Sequence, residues 1–227
     1  MKRVRPGVAT TLAWLAIVAV GGIALGRVIT GPLASVVARD LDRPVRNFVT
    51  GGHDPDWAHP VWHHPAWREL FAHISVFGTA VVTGVIAAIA GVVWSARTRS
   101  PAIAVQLATA FVGAGVLTIV VKFGVNRDPA SGPISHFAAG TFPSGHALVA
   151  VSVYGTLGAA IWRANVPRLV RWAAAVLLAV LALAVGWSRV FLLDHYASDA
   201  VGSVIIGVAW VAVVVHTRTI AVKTAST

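Results

Sequence analysis

Long stretches without a charged residue dominate this chain. No Asp, Glu, Lys or Arg occurs between Arg5 and Arg27, between Glu69 and Arg97, or between Arg99 and Lys122. A helix that crosses the hydrocarbon core of a bilayer needs about 20 mostly apolar residues, and each of these runs meets that length. Three shorter runs follow, Ala147 to Trp162, Trp172 to Ser188 and Ala200 to Thr217, all rich in Ala, Val, Ile, Leu and Gly. The pattern predicts an all-α integral membrane bundle of six transmembrane helices. Its spans fall near 7–27, 70–95, 101–122, 145–162, 171–188 and 196–216, within one membrane domain of residues 1–227. Lys2, Arg3 and Arg5 raise a signal peptide as the alternative for the first run. Its apolar stretch is longer than a usual signal core and no small-residue cleavage site follows, so an uncleaved helix is expected.

Composition agrees with that reading. Of the 227 residues 57% are apolar and 11% charged, and the mean hydropathy is +0.78. Soluble domains carry about 25% charged residues, so this chain has too little polar surface to coat a water-soluble globule. An ordinary cytosolic enzyme, a disordered chain and a nucleic-acid-binding domain are excluded, although a net charge of +10 would suit the last. Topology accounts for that charge instead. With the N-terminus inside, the cytoplasmic segments hold ten Lys and Arg residues and no acid, while eight basic and eight acidic residues fall outside. Both termini are therefore expected on the cytoplasmic side, and no nucleic-acid partner is needed. The chain has no cysteine, which excludes disulfides, thiolate metal sites and cysteine nucleophiles.

The longest connection, the expected outer loop 30–69, reads as a short amphipathic helix near Leu33 to Val49, with Val36, Val37, Leu41, Val45 and Phe48 on one side. Beyond it lies a His- and Trp-rich stretch. His53, Asp54, Asp56, His59, His63 and His64 could hold a divalent cation, whereas Trp57, Trp62 and Trp67 suit an interfacial aromatic belt. A membrane-lying loop is the favoured reading, and no metal is assigned.

Ionisable residues at the ends of membrane helices are costly and usually functional. Three clusters stand at the expected outer ends. Lys122 and Arg127 close the third span, where each alone could be an interfacial cation snorkelling to headgroups. Pro143-Ser144-Gly145-His146 opens the fourth. Ser144 there suits a helix N-cap, and the free amides of a helix start bind anions such as phosphate. Ser188-Arg189, His195 and Asp199 flank the last span. His195 and Asp199 are four residues apart, so a helix that starts near Asp194 puts them on one face. A carboxylate there would fix the imidazole tautomer and leave the other nitrogen as a nucleophile. Read one at a time, each cluster has a structural explanation. Together, three cations, an anion-binding turn and two histidines, of which one has an orienting carboxylate, describe a two-step displacement at a highly charged oxyanion.

These residues make the chain resemble the type 2 phosphatidic-acid phosphatase superfamily, membrane lipid phosphate phosphatases whose fold is shared with vanadium haloperoxidases. The family's motifs are Lys-x6-Arg-Pro, Pro-Ser-Gly-His and Ser-Arg-x5-His-x3-Asp. The second matches at Pro143 to His146, and the third in every fixed position at Ser188, Arg189, His195 and Asp199. The first departs. Seven residues on from Lys122 stands Pro129, and the nearest arginine is Arg127, followed by Asp128. Either Arg127 takes the phosphate-binding place through a shortened loop, which is the expectation, or that contact is lost.

The resemblance implies roles position by position. His195 would attack phosphorus, Asp199 would orient it, and His146 would protonate the leaving group and then activate water. Lys122, Arg127, Ser144, Gly145 and Arg189 would hold the phosphoryl oxygens, and no metal or other cofactor is implied. The implied substrate is a lipid phosphate or pyrophosphate at the outer membrane surface: undecaprenyl pyrophosphate first, on the Ala-, Val- and Arg-rich composition, with phosphatidic acid and phosphatidylglycerol phosphate as alternatives. A non-catalytic lipid-binding or transport protein is the second reading, with the altered first motif as its support. Vanadate-dependent halide oxidation is a third, and the membrane spans argue against it.

Overall fold

The computed structural model describes residues 8–52, 65–128 and 140–225. Its elements are α1 (Val8–Thr30), α2 (Ala34–Val37), a π-helical turn (Ala38–Asp42), α3 (Arg43–Thr50), α4 (Pro65–Val76), α5 (Ala80–Thr98), α6 (Ala102–Val125), α7 (Gly145–Arg163), α8 (Arg168–Phe191) and α9 (Ala197–Ala225). Six of these helices, α1 and α5 to α9, are long and apolar enough to cross a membrane. The chain is an all-α, multi-pass membrane protein. Large apolar side chains point away from the bundle along these helices, among them Val81, Ile89, Phe123, Leu169 and Leu177. Such a surface is stable only against lipid.

α7 lies at the centre and packs against α5, α6, α8 and α9. It is the most enclosed span, with 56% of its membrane window buried, against 11% for α1. Lipid tails are as apolar as the helices, so close packing and hydrogen bonds hold such bundles together. Trp210 of α9 is fully buried and donates from Nε1 to the Ala110 carbonyl of α6 at 3.2 Å. Gln106 Nε2 reaches the Val214 carbonyl across the same pair of helices at 3.3 Å. At the end away from the histidines, Trp162 and Trp172 meet edge to face, 4.9 Å between centroids.

The charge-free run expected to cross as 70–95 is two helices, α4 and α5, with a break at Phe77-Gly78-Thr79. The cause is tertiary. Tyr154 of α7 donates its hydroxyl to the Phe77 carbonyl at 2.6 Å, taking an acceptor that a continuous helix would use internally. A Cβ on Gly78 would collide with Val185 and stand 3.0 Å from the Cβ of His146, so the chain can approach α7 and α8 here only without a side chain. Thr79 then caps α5, its Oγ1 accepting from Val82 N at 3.3 Å.

Between α1 and α4 the chain is helical from Ala34 to Thr50, close to the expected stretch, but its expected apolar side is only half-buried at Val37, Leu41 and Val45. Asp42, Val49 and Thr50 are buried, while Val36 and Phe48 are exposed. The π-turn inserts one residue into the helical register, a rotation of about 100°, and directs Asp42 inward. Val49 joins Phe191 and Leu193 in a small apolar cluster with Phe71 and Trp187, and the Phe71 and Phe191 rings lie 4.5 Å apart. This cluster holds α3 and α4 against the end of α8.

Candidate active site

Each cluster singled out in the sequence stands at the same end of the bundle, because the ends of α6 and α8 and the starts of α7 and α9 meet there. α6 ends at Asn126, whose left-handed backbone (φ 52°) donates from N to the Lys122 carbonyl at 2.8 Å. That cap turns Arg127 back into the bundle. Lys122 Nζ donates to the Gly140 and Thr141 carbonyls at 2.6 and 3.3 Å, and so ties down the segment that leads into α7. Phe142, fully buried, is seated against Gly26 of α1 and Gly202 of α9.

Ser144 is the N-cap residue of α7, but its side chain makes no cap bond, and its buried Oγ has no hydrogen-bond partner. Its amide donates to Ser203 Oγ at 2.8 Å, and Ser203 Oγ donates to the Asp199 carbonyl at 2.6 Å, which links the starts of α7 and α9. Gly145 and His146 follow as the first residues of α7, where amides have no intrahelical acceptor. His146 lies within electrostatic reach of Arg189, His195 and Lys122.

The third cluster bridges two helices. Ser188 and Arg189 close α8, Leu193 turns with φ 63°, and the Asp194 and His195 amides return to the Arg189 carbonyl at 3.1 and 3.3 Å. α9 begins at Ala197, so His195 precedes the helix instead of sharing its face. Its pairing with Asp199 is made at the cap. Asp199 Oδ2 accepts from the Tyr196 amide at 3.1 Å and stands 3.5 Å from His195 Nδ1, as the third residue of a helix does in a capping box. Asp199 is fully buried. Arg189 donates from Nη1 to Ser75 Oγ at 2.6 Å, and its Nη2 lies 2.6 Å from Asp194 Oδ2.

Arg127 enters the site from α6, with a geometry the spacing did not suggest. Nη1 donates to Asp199 Oδ1 at 2.5 Å and to Ser198 Oγ at 2.7 Å, and Nη2 donates to Asp42 Oδ2 at 2.9 Å. The guanidinium also lies over the Tyr196 ring, 4.1 Å from its centroid. Burial works against its charge, but the Asp199 and Asp42 carboxylates outweigh that and hold the guanidinium above its ordinary pKa. Both terminal nitrogens thus donate to protein oxygens, those of Asp199, Ser198 and Asp42.

Sequence reasoning missed Asp42, Ser75, Asp194, Ser198 and Ser203. No local pattern marks Asp42. The one available signal was the excess of cations over acids among the motif residues. Among the described residues no three His, Asp or Glu side chains gather as a metal site requires. His53, Asp54, Asp56, Trp57, His59, Trp62, His63 and His64 lie outside the described residues.

These features define a helical membrane phosphatase architecture with its polar groups at one end of the bundle. The chain belongs to the PAP2 superfamily, whose family model matches residues 103–222. Among solved structures it is similar to the first transmembrane PAP2-type phosphatidylglycerolphosphate phosphatase from Bacillus subtilis, at 20% identity and a TM-score of 0.67, over 92% of this chain and 94% of that one. A search of curated proteins gives no match.

Proposed function

We propose that this chain is a lipid phosphate phosphatase that works through a phosphohistidine on His195. The observation that carries the reading is the pairing of His195 Nδ1 with the buried Asp199 carboxylate, 3.5 Å apart, next to the start of α7. With Nδ1–H directed at Asp199, Nε2 keeps its lone pair and attacks phosphorus. The P–O bond to the lipid breaks, and His146 gives its proton to the departing oxygen. His146, now neutral, takes a proton from water, whose oxygen attacks the phosphohistidine and releases inorganic phosphate.

Charge on the transferred group is met by fixed donors. Lys122 has three N–H donors and uses two on Gly140 and Thr141, leaving one for a phosphoryl oxygen. The amides at Gly145 and His146, the Ser144 hydroxyl and Arg189 supply the rest. Arg189 is held by Asp194, whose side chain is 44% exposed and can yield to a phosphate. This chemistry needs no metal.

The substrate class is a phosphomonoester or pyrophosphate on a membrane lipid, since the site stands where helices end at the bilayer surface. Undecaprenyl pyrophosphate is the first candidate. A cavity of about 550 Å³ opens beside Arg127, lined by Arg43 and Arg46 but also by Asp42 and Asp128. Phosphatidic acid and phosphatidylglycerol phosphate are the alternatives, and the choice among these lipids rests on composition. The Lys and Arg distribution supports both termini in the cytoplasm and the site on the outer face.

The test is phosphate release from undecaprenyl pyrophosphate and phosphatidic acid in detergent with EDTA present, wild type against His195→Ala. Release by the wild type alone is expected. A folded wild type that releases phosphate from neither lipid would favour the lipid-binding reading.

A further inference from the structure

Asp42 belongs to no motif, yet its carboxylate accepts three hydrogen bonds at this end of the bundle. It sits in the π-turn, 7% exposed. Oδ1 accepts from the Ser198 amide at 2.9 Å, and Oδ2 accepts from Ser198 Oγ and from Arg127 Nη2, both at 2.9 Å. Ser198 is the second residue of α9, so its amide is one of the donors a helix start leaves open. Asp42 therefore caps the helix that carries Asp199 and also pairs the cation that touches Asp199.

We propose that Asp42 is a positioning residue for the reaction: through Arg127 and Ser198 it fixes the Asp199 carboxylate and preserves the negative charge that Asp199 presents to His195. The inference rests on the phosphohistidine reading. As His195 forms its bond to phosphorus, the ring becomes cationic and is stabilised by Asp199. Arg127 opposes this, because it draws on the same carboxylate from 2.5 Å. Asp42 takes a share of the guanidinium charge, so Asp42, Arg127 and Asp199 together carry one net negative charge towards His195. Without Asp42 that set is neutral, and the nucleophile is weaker while the phosphate-binding groups are untouched. The π-turn supplies the register that brings Asp42 inward, and turns of this kind are frequent at functional sites.

The test uses the full-length protein in detergent with dioctanoyl phosphatidic acid. Asp42→Asn keeps an oxygen for the Ser198 amide, removes the charge and replaces the oxygen that accepts from Ser198 Oγ and Arg127 Nη2 with an NH2 donor. Its kcat is expected to fall by about tenfold or more with KM within about twofold of wild type. Inhibition by orthovanadate, which mimics five-coordinate phosphorus on His195, should weaken in parallel, while inhibition by inorganic phosphate holds. The Arg127→Gln background gives the second arm, and it serves if Asp42→Asn alone does not fold. Adding Asp42→Asn to Arg127→Gln should cost no further activity, since the charge that Asp42 balances is gone. Unchanged kcat in Asp42→Asn, or a full further loss in the double variant, would overturn the proposal. A wild type without activity would instead overturn the phosphatase reading on which it rests.

Discussion

Arg127 and Asp199 form a buried ion pair, 2.5 Å from Nη1 to Oδ1, between the end of α6 and the first turn of α9. The pair changes what the altered first motif means. Arg127 was expected to take the phosphate-binding place through a shortened loop. Instead it grips the carboxylate behind the nucleophile.

Arg127→Gln should therefore lower kcat by about 10- to 100-fold with little change in KM, because Asp199 loses the fork that fixes its orientation, a loss that outweighs removal of the opposing charge, and no substrate contact is touched. Arg127→Lys should be intermediate, since a single ammonium cannot bridge two carboxylates as a guanidinium fork does. Steady-state kinetics on a short-chain phosphatidic acid separate the two readings. A raised KM at constant kcat would return Arg127 to the phosphate.

If Arg189 holds a phosphoryl oxygen as proposed, Asp194 competes with substrate for it. The pair spans 2.6 Å, and the Asp194 side chain is 44% exposed. Exposed pairs of this kind are worth about 0–1 kcal/mol, so Asp194→Asn should lower KM by up to about fivefold and leave kcat nearly unchanged. The check is the KM ratio at low ionic strength. A higher KM would show that Asp194 supports the site instead of covering it.

Gly78 should resist substitution. A Cβ there meets Val185 and comes within 3.1 Å of the His146 carbonyl. Overpacking of this kind costs about 1–3 kcal/mol, so Gly78→Ala should lower the Tm and reduce activity through His146. Gly115 in α6 is the control, because a Cβ there meets nothing within 4 Å. Gly115→Ala should leave both unchanged or raise the Tm slightly. Thermal melts in one detergent compare the two directly.

The absence of cysteine makes topology simple to map. Asn165 and Asp40 are both exposed, the first between α7 and α8 and the second in the π-turn. With the active site outside, Asp40→Cys should react with a membrane-impermeant maleimide in intact cells, and Asn165→Cys only after permeabilisation. The reverse pattern would place the site in the cytoplasm.

The six spans were legible because burial in lipid leaves a linear record, a run of apolar residues without charge. The motif residues were legible because the chemistry fixes their types and their spacing within one segment. Two features were not. The break at Gly78 lies inside an uninterrupted apolar run, and its causes, Tyr154 and Val185, sit on other helices. Asp42 meets Arg127 across 85 residues of sequence, and in its own segment it is an ordinary acid on an amphipathic helix. The apolar side of that helix was legible, but Val36 and Phe48 on it stay exposed while Asp42 is buried, because the buried partners of this segment include Ser198 and Arg127. Hydrophobic pattern reports burial against apolar groups and is silent on burial against a charged network.

Trapping the covalent intermediate on His195 tests the proposed reaction at its first step. The enzyme is mixed with lipid labelled with ³²P in the phosphoryl group and quenched in alkali, where phosphohistidine survives. Label should attach to the wild type and be absent from His195→Ala. It should accumulate in His146→Gln when a good leaving group spares the first proton transfer, since water then lacks its base. Phosphate release without label on any variant, or label retained in His195→Ala, would contradict the account.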